Sequence, residues 1–177
     1  MPTLDGIEKM TQKILQNLPS RAPIDIFAVA NFLGIPVDPV VMHHATCRIR
    51  EVTTDTGAGV IKTSHIEYDG FTADGMRQRY AVAHALGHIL LGHKLPESGV
   101  REDTPQNFYK EVTDPTEIAA NNVAGALLVP KMALVYFMDE GRVCSVKDLA
   151  ALFGVSTTCV GHRLEQLEIL PTHNRER

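Results

Sequence analysis

Three histidines, His84, His88 and His93, fall within ten residues of a chain that carries eight histidines and no tryptophan. The apolar residues among them (Tyr80, Ala83, Leu86, Leu90 and Leu91) keep helical spacing and predict a largely buried helix over about 76–91, stopped by Gly92. Four residues advance a helix by about 400°, so His84 and His88 leave the same face one turn apart. Two imidazoles in that arrangement can hold one metal ion, zinc by preference, with Zn–N near ~2.0–2.1 Å. The plainer reading is that two buried or capping histidines share this spacing by accident. Histidines on a buried helix need polar partners in either case.

The spacing is that of the peptide-hydrolysing motif H-E-x-x-H, in which the glutamate beside the first histidine is the general base. Here position 85 is alanine. Zinc binding does not need that glutamate, but proton transfer to and from the reacting water does, so Ala85 marks the place of a missing catalytic group. A third ligand must come from elsewhere. The extended pattern H-x-x-x-H-x-x-G-x-x-H would require glycine at 91 and histidine at 94, where the chain has Leu91 and Lys94. His93 therefore reads as a helix C-terminal residue favoured by the dipole. Glu117 has two readings. In Asp114-Pro115-Thr116-Glu117 it stands at N3 after an N-cap and an N1 proline, where it could close a capping box. It could equally be the carboxylate of a site with two histidines and one glutamate. Spacing alone leaves both open.

Helices and a few strands must position these groups. Two short helices are expected before residue 35, then an edge strand interrupted by Pro36 and Pro39. Further strands are expected over 48–53, 59–62 and 66–68, and an irregular loop over 94–113. Helices follow from Asp114 to about Val129, over 131–139, and in a tail from Ser145. The expected fold is α+β, mainly helical, with a small sheet in the N-terminal half and a helical C-terminal tail. Residues 1–142 would form the main domain and 143–177 a small helix-turn-helix-like unit packed on it.

Composition narrows the function classes. With 17 basic and 21 acidic residues the chain has a formal net charge of -4, which removes the simplest electrostatic case for nucleic-acid binding. No apolar run approaches the ~18 residues a bilayer requires. The start of the chain lacks a basic-then-apolar signal, and three scattered cysteines fit a reducing compartment, so a cytoplasmic protein is expected.

The stretch from Met76 to His88, ending Ala83-His84-Ala85-Leu86-Gly87-His88, resembles the ImmA/IrrE metallo-endopeptidases, which typically have A-H-E-L-G-H there. Glu117 to Pro130 resembles the family's E-x-x-A-N-x-F-A-x-x-L-L-x-P, with Val123 in place of the aromatic. Val155-Ser156 and Arg163-Leu164 resemble its C-terminal helices, so about residues 20–170 are covered. The resemblance implies a zincin-like fold and zinc on His84, His88 and Glu117, with Asn121 behind them or simply bonded to backbone. It also implies cleavage of helix-turn-helix (Xre-like) repressors. Ala85 would make this chain an inactive Glu-to-Ala form, engineered or natural; the alternative is a pseudoprotease or antirepressor that binds its regulator without cutting.

Two further expectations concern substrate and partner. Gly57 to Lys62 is the candidate edge for an extended peptide, because its glycines permit close backbone approach. Tyr80, Tyr109 and His93 are candidates to stabilise an oxyanion. The tail has a helix, a glycine turn and a second helix, but between residues 145 and 177 four basic residues are balanced by four acidic ones, which argues against direct DNA binding. Docking of the repressor, or packing on the core, fits the tail better.

Overall fold

The computed structural model describes residues 2–19, 22–57, 59–71, 73–108, 112–139 and 145–169. Short polar side chains set most helix starts. Thr3, Asp25, Asp74, Asp114, Ser145 and Ser156 each accept a backbone N–H two or three residues on. They open α1 (Leu4–Leu15), α2 (Ile26–Phe32), α3 (Gly75–Leu90), α4 (Pro115–Leu128), α6 (Val146–Phe153) and α7 (Thr157–Gln166). Between α4 and α6, α5 (Lys131–Asp139) follows a 50° bend at Val129-Pro130. Proline lacks the N–H that would continue α4, so the bend falls there.

Four strands, β1 (Val37–Val40), β2 (Cys47–Asp55), β3 (Val60–Asp69) and β4 (Val100–Asp103), pair in the order β1-β3-β2-β4. β1 runs parallel to β3 and the other pairings are antiparallel. Alternation divides the sheet into two faces. Cys47, Ile49 and Ile66 point into the core. The intervening residues form an ion-pair network: Arg48 lies 3.1 Å from Glu67 and 2.6 Å from Glu102, and Arg50 also pairs with Glu67. The fold is therefore α+β, with its sheet in the N-terminal half and helices thereafter.

Two segments differ from the sequence reading. The strands expected over 59–62 and 66–68 are one continuous β3. Thr63, Ser64 and His65 stay extended because β2 pairs with the strand along its whole length, from Cys47↔Tyr68 to Asp55↔Val60. The irregular loop expected over 94–113 contains β4 and a 3-10 turn at Pro105–Phe108. β4 carries three charged residues and one apolar one, so its pairing with the free edge of β2, not any hydrophobic alternation, makes it a strand.

α3 and α4 form the middle of the molecule. Residues 81–88 of α3 are all buried, as are Ala119, Ala120 and Val123 to Leu128 of α4. A helix apolar on every side belongs at the centre of a core. Among the described residues no single helix is long and apolar enough to cross a membrane. The division expected at residues 142 and 143 lies outside the described residues. On its far side, Leu149, Phe153, Val160 and Leu164 join the same buried cluster as Ile7, Ile26 and Leu127.

Arg163 ties α7 to that cluster. Its guanidinium is fully buried, donates to Val129 O at 3.0 Å, and lies 2.7 Å from the Glu8 carboxylate on α1. Removing one partner of a buried ion pair leaves the other without its countercharge, so Arg163→Ala is expected to cost about 3–5 kcal/mol of unfolding free energy. Urea denaturation of the metal-free chain measures it; a loss within about 0.5 kcal/mol, the range of ordinary surface changes, would mean that α7 is not anchored through this pair.

Candidate metal centre

His84 and His88 project from α3 as their spacing requires, and both are buried, at 0% and 1% exposure. Their Nε2 atoms stand 3.0 Å apart. α4 brings Glu117 to the same point: its Oε2 lies 3.1 Å from His84 Nε2 and 3.6 Å from His88 Nε2. β4 adds Asp103, whose Oδ2 lies 3.7 Å from His84 Nε2. One donor atom from each of these four residues lies within 4.8 Å of all the others.

The far nitrogen of each imidazole is also held. Asn121 Nδ2 donates to Asn107 O at 2.8 Å, which leaves its Oδ1 as an acceptor facing His84 Nδ1, also at 2.8 Å. The His84 proton is thereby placed on Nδ1 and the Nε2 lone pair turned toward the other donors. His93 Nδ1 stands 2.8 Å from His88 Nδ1 and does the same for the second imidazole if it accepts the proton. Phe108 packs edge-on against both His84 and Tyr80, at 4.9 and 5.3 Å between ring centres. His93 thus sits directly behind His88, a role its expected place at the helix terminus did not reveal.

Arg101 binds the two carboxylates from outside. Its guanidinium pairs with Glu117 Oε1, and its Nε donates to Asp103 Oδ1 at 3.2 Å. Arg101 and Asp103 are two apart on β4, so alternation puts both on the face turned toward α3. Each carboxylate is left with its second oxygen facing the imidazoles. Glu117 does not close a capping box: Asp114 alone accepts from Thr116 N at 2.8 Å.

The protonation states suit a cation. Burial works against charge on Glu117, but hydrogen bonds from His84 and His88 when their facing nitrogens carry protons, together with the Arg101 guanidinium, outweigh it and hold its carboxyl far below the usual range. A cation replaces those protons when it binds. Burial lowers His88 from its ordinary value, and His84 and Arg101 add to that push against the opposing Glu117. Neutral imidazole and ionised carboxylate are the metal-binding forms of these side chains.

The remaining candidates fall elsewhere. Ala85 is wholly buried in the apolar core and offers only a methyl group. Tyr80 donates its hydroxyl to Asn121 Oδ1 at 3.2 Å, and burial pushes its phenol far above the usual range. Tyr109 lies outside the described residues. The stretch from Gly57 to Lys62 is not beside the histidines. Asp103 pairs with Cys47 and Cys47 with Tyr68, while Val60 lies eight residues along β3 from Tyr68, about 26 Å at ~3.3 Å per residue. The strand at the site is β4.

The family model for the IrrE N-terminal-like domain, Peptidase M78, matches residues 72–165, just over half of the chain. The chain belongs to the Peptidase M78 family. The match spans α3 and α4 and therefore both histidines, Glu117 and Asn121. Membership of M78 gives the chain a metallopeptidase-type function. No match was found among curated proteins.

Asn121 gives this arrangement its first test. Partners of this kind typically contribute about 10–100-fold to metal affinity, and a loss of that size is expected for Asn121→Ala in competition with a chromophoric zinc chelator. Unchanged affinity would mean that Asn121 serves only the packing of α4.

Proposed function

We propose that this chain is a zinc endopeptidase scaffold of the ImmA/IrrE type that engages a helix-turn-helix (Xre-like) repressor, and that with Ala85 it binds this regulator without cutting it. The observation that carries the reading is the Glu117 Oε2 atom, buried and without a hydrogen-bond partner, set against the Nε2 atoms of His84, whose ring proton Asn121 holds on Nδ1, and of His88. Lone pairs converging in a buried site repel unless a cation sits among them. Four-coordinate zinc with bonds of about 2.0–2.1 Å has ligand atoms about 3.3 Å apart. The donor separations of 3.0, 3.1 and 3.6 Å among His84, His88 and Glu117 bracket that value. Nitrogen and oxygen donors in this number suit zinc better than magnesium or calcium, which take six or more oxygens.

His84, His88 and Glu117 would hold the ion. Bound there, zinc supplies Lewis acidity, polarising a carbonyl and lowering the pKa of a bound water to about 7. Asn121 keeps the His84 ring in the ligating tautomer, and Arg101 keeps one Glu117 oxygen facing inward. Peptide hydrolysis also needs a group that takes a proton from water and delivers it to the leaving amine. An alanine methyl can do neither, and loss of a general acid–base typically costs about 10²–10⁴ in rate.

The outer edge of β4 carries no strand partner among the described residues. It adjoins Asp103 and suits an extended peptide pairing by main-chain hydrogen bonds. A repressor as partner follows from the family resemblance, and the tail supports protein docking over DNA contact. Arg163, the one Lys or Arg of α7, is buried against Glu8 and unavailable to phosphates. A reducing cytoplasm fits the free thiols of Cys47 and Cys159, both buried.

The Ala85→Glu substitution restores the missing carboxylate and tests the reading against purified Xre-type repressors with zinc present. The expected result is repressor binding without fragments for the unaltered chain and two fragments with Ala85→Glu. Binding by both with cleavage by neither would contradict the peptidase scaffold and leave an antirepressor.

A further inference from the structure

Asp103 is not part of the two-histidine, one-glutamate set, yet it belongs to the same cluster. Its Oδ2 stands 3.7 Å from His84 Nε2, within half an ångström of the about 3.3 Å edge of a tetrahedral zinc site. Resting on the metal site proposed above, we infer that Asp103 is the fourth protein ligand at rest, so that the centre is closed until a substrate displaces the Asp103 carboxylate.

Three features carry this. The first is rigidity. Asp103 ends β4 opposite Cys47, and its carbonyl accepts from both Thr46 N at 2.8 Å and Thr46 Oγ1 at 3.0 Å. The carboxylate is 1% exposed and cannot swing into solvent.

The second is the division of its oxygens. Arg101 Nε occupies Oδ1, while the Oδ2 that faces His84 has only the Cys47 thiol, a weak donor, at 3.6 Å. Glu117 is divided in the same way, with Arg101 on its outer oxygen and its inner one toward the histidines. One guanidinium therefore presents two inner oxygens to two nitrogens, a donor set of two nitrogens and two oxygens.

The third is charge. Two buried carboxylates repel each other, and Arg101 offsets only one of them. A divalent cation bound by both completes the neutralisation. Structural zinc sites take four protein ligands, whereas catalytic ones take three and leave the fourth position to water or substrate. A site closed at rest agrees with Ala85, since no group beside it acts on a water, and cleavage by an Ala85→Glu protein would require substrate to displace Asp103.

Cobalt reports this directly, because its visible bands follow coordination number and respond to a new ligand. The full chain, loaded with one equivalent of Co2+, is titrated with azide beside Asp103→Ala and Asp103→Asn, with folding checked by far-ultraviolet circular dichroism. The expected result is a tetrahedral spectrum that azide leaves unchanged in the unaltered chain and shifts in the folded Asp103 variants. Zinc affinity is expected to fall about tenfold or more in those variants. An azide-induced shift in the unaltered chain equal to that of the variants, or unchanged zinc affinity in both variants, would overturn the fourth ligand. Failure of the unaltered chain to bind cobalt at all, or equal binding by His84→Ala, would instead overturn the underlying three-residue site.

Discussion

The site depends on how closely α3 and α4 approach. A Cβ on Gly87 would lie 2.6 Å from Ala120 O and 3.0 Å from Ala120 Cα, so the two helices meet backbone to backbone. Only glycine permits this. Gly87 precedes His88 directly, and Ala120 lies between Glu117 and Asn121. The contact that brings the helices together therefore sets how far the imidazoles stand from the carboxylate and from the amide behind them. Ala83, one turn before Gly87, and Ala124, one turn after Ala120, are also small and buried on the same helix faces.

A core this tight makes polar groups costly. Buried carboxylates and imidazoles are tolerated only when their charges and lone pairs are answered. Here the answer is layered: Asn121 and His93 take the outer imidazole nitrogens, Arg101 takes the outer carboxylate oxygens, and the inner atoms are left for a cation. The apolar methyl of Ala85 adds nothing to this arrangement. In the proposed site, holding a metal and using it for hydrolysis would thus be separable, because none of the converging donor atoms comes from residue 85.

The helical half of the site was legible in the sequence because its information is local. His84 and His88 follow from helical period, Asp114 from its capping position, and Gly92 ends α3 with a φ of +65° that glycine adopts freely. Glu117 was ambiguous because a capping glutamate and a ligating one occupy the same N3 position; only the direction of the side chain separates them. The half on the sheet was hidden. β4 has no apolar alternation, and Arg101 and Asp103 gain their meaning from pairing with Ile49 and Cys47, some fifty residues earlier. The glycines at 57 and 59 marked a hairpin turn at the far end of the sheet, a local signal that says nothing about distance from the histidines.

Everything proposed for this chain rests on metal held at His84, His88 and Glu117, and elemental analysis of the purified protein tests that most directly. Dialysed at neutral pH, the chain is expected to retain about one zinc, and the folded His84→Ala protein close to none. A chain that is metal-free under those conditions, or a His84→Ala protein that keeps its zinc, would contradict the metal centre.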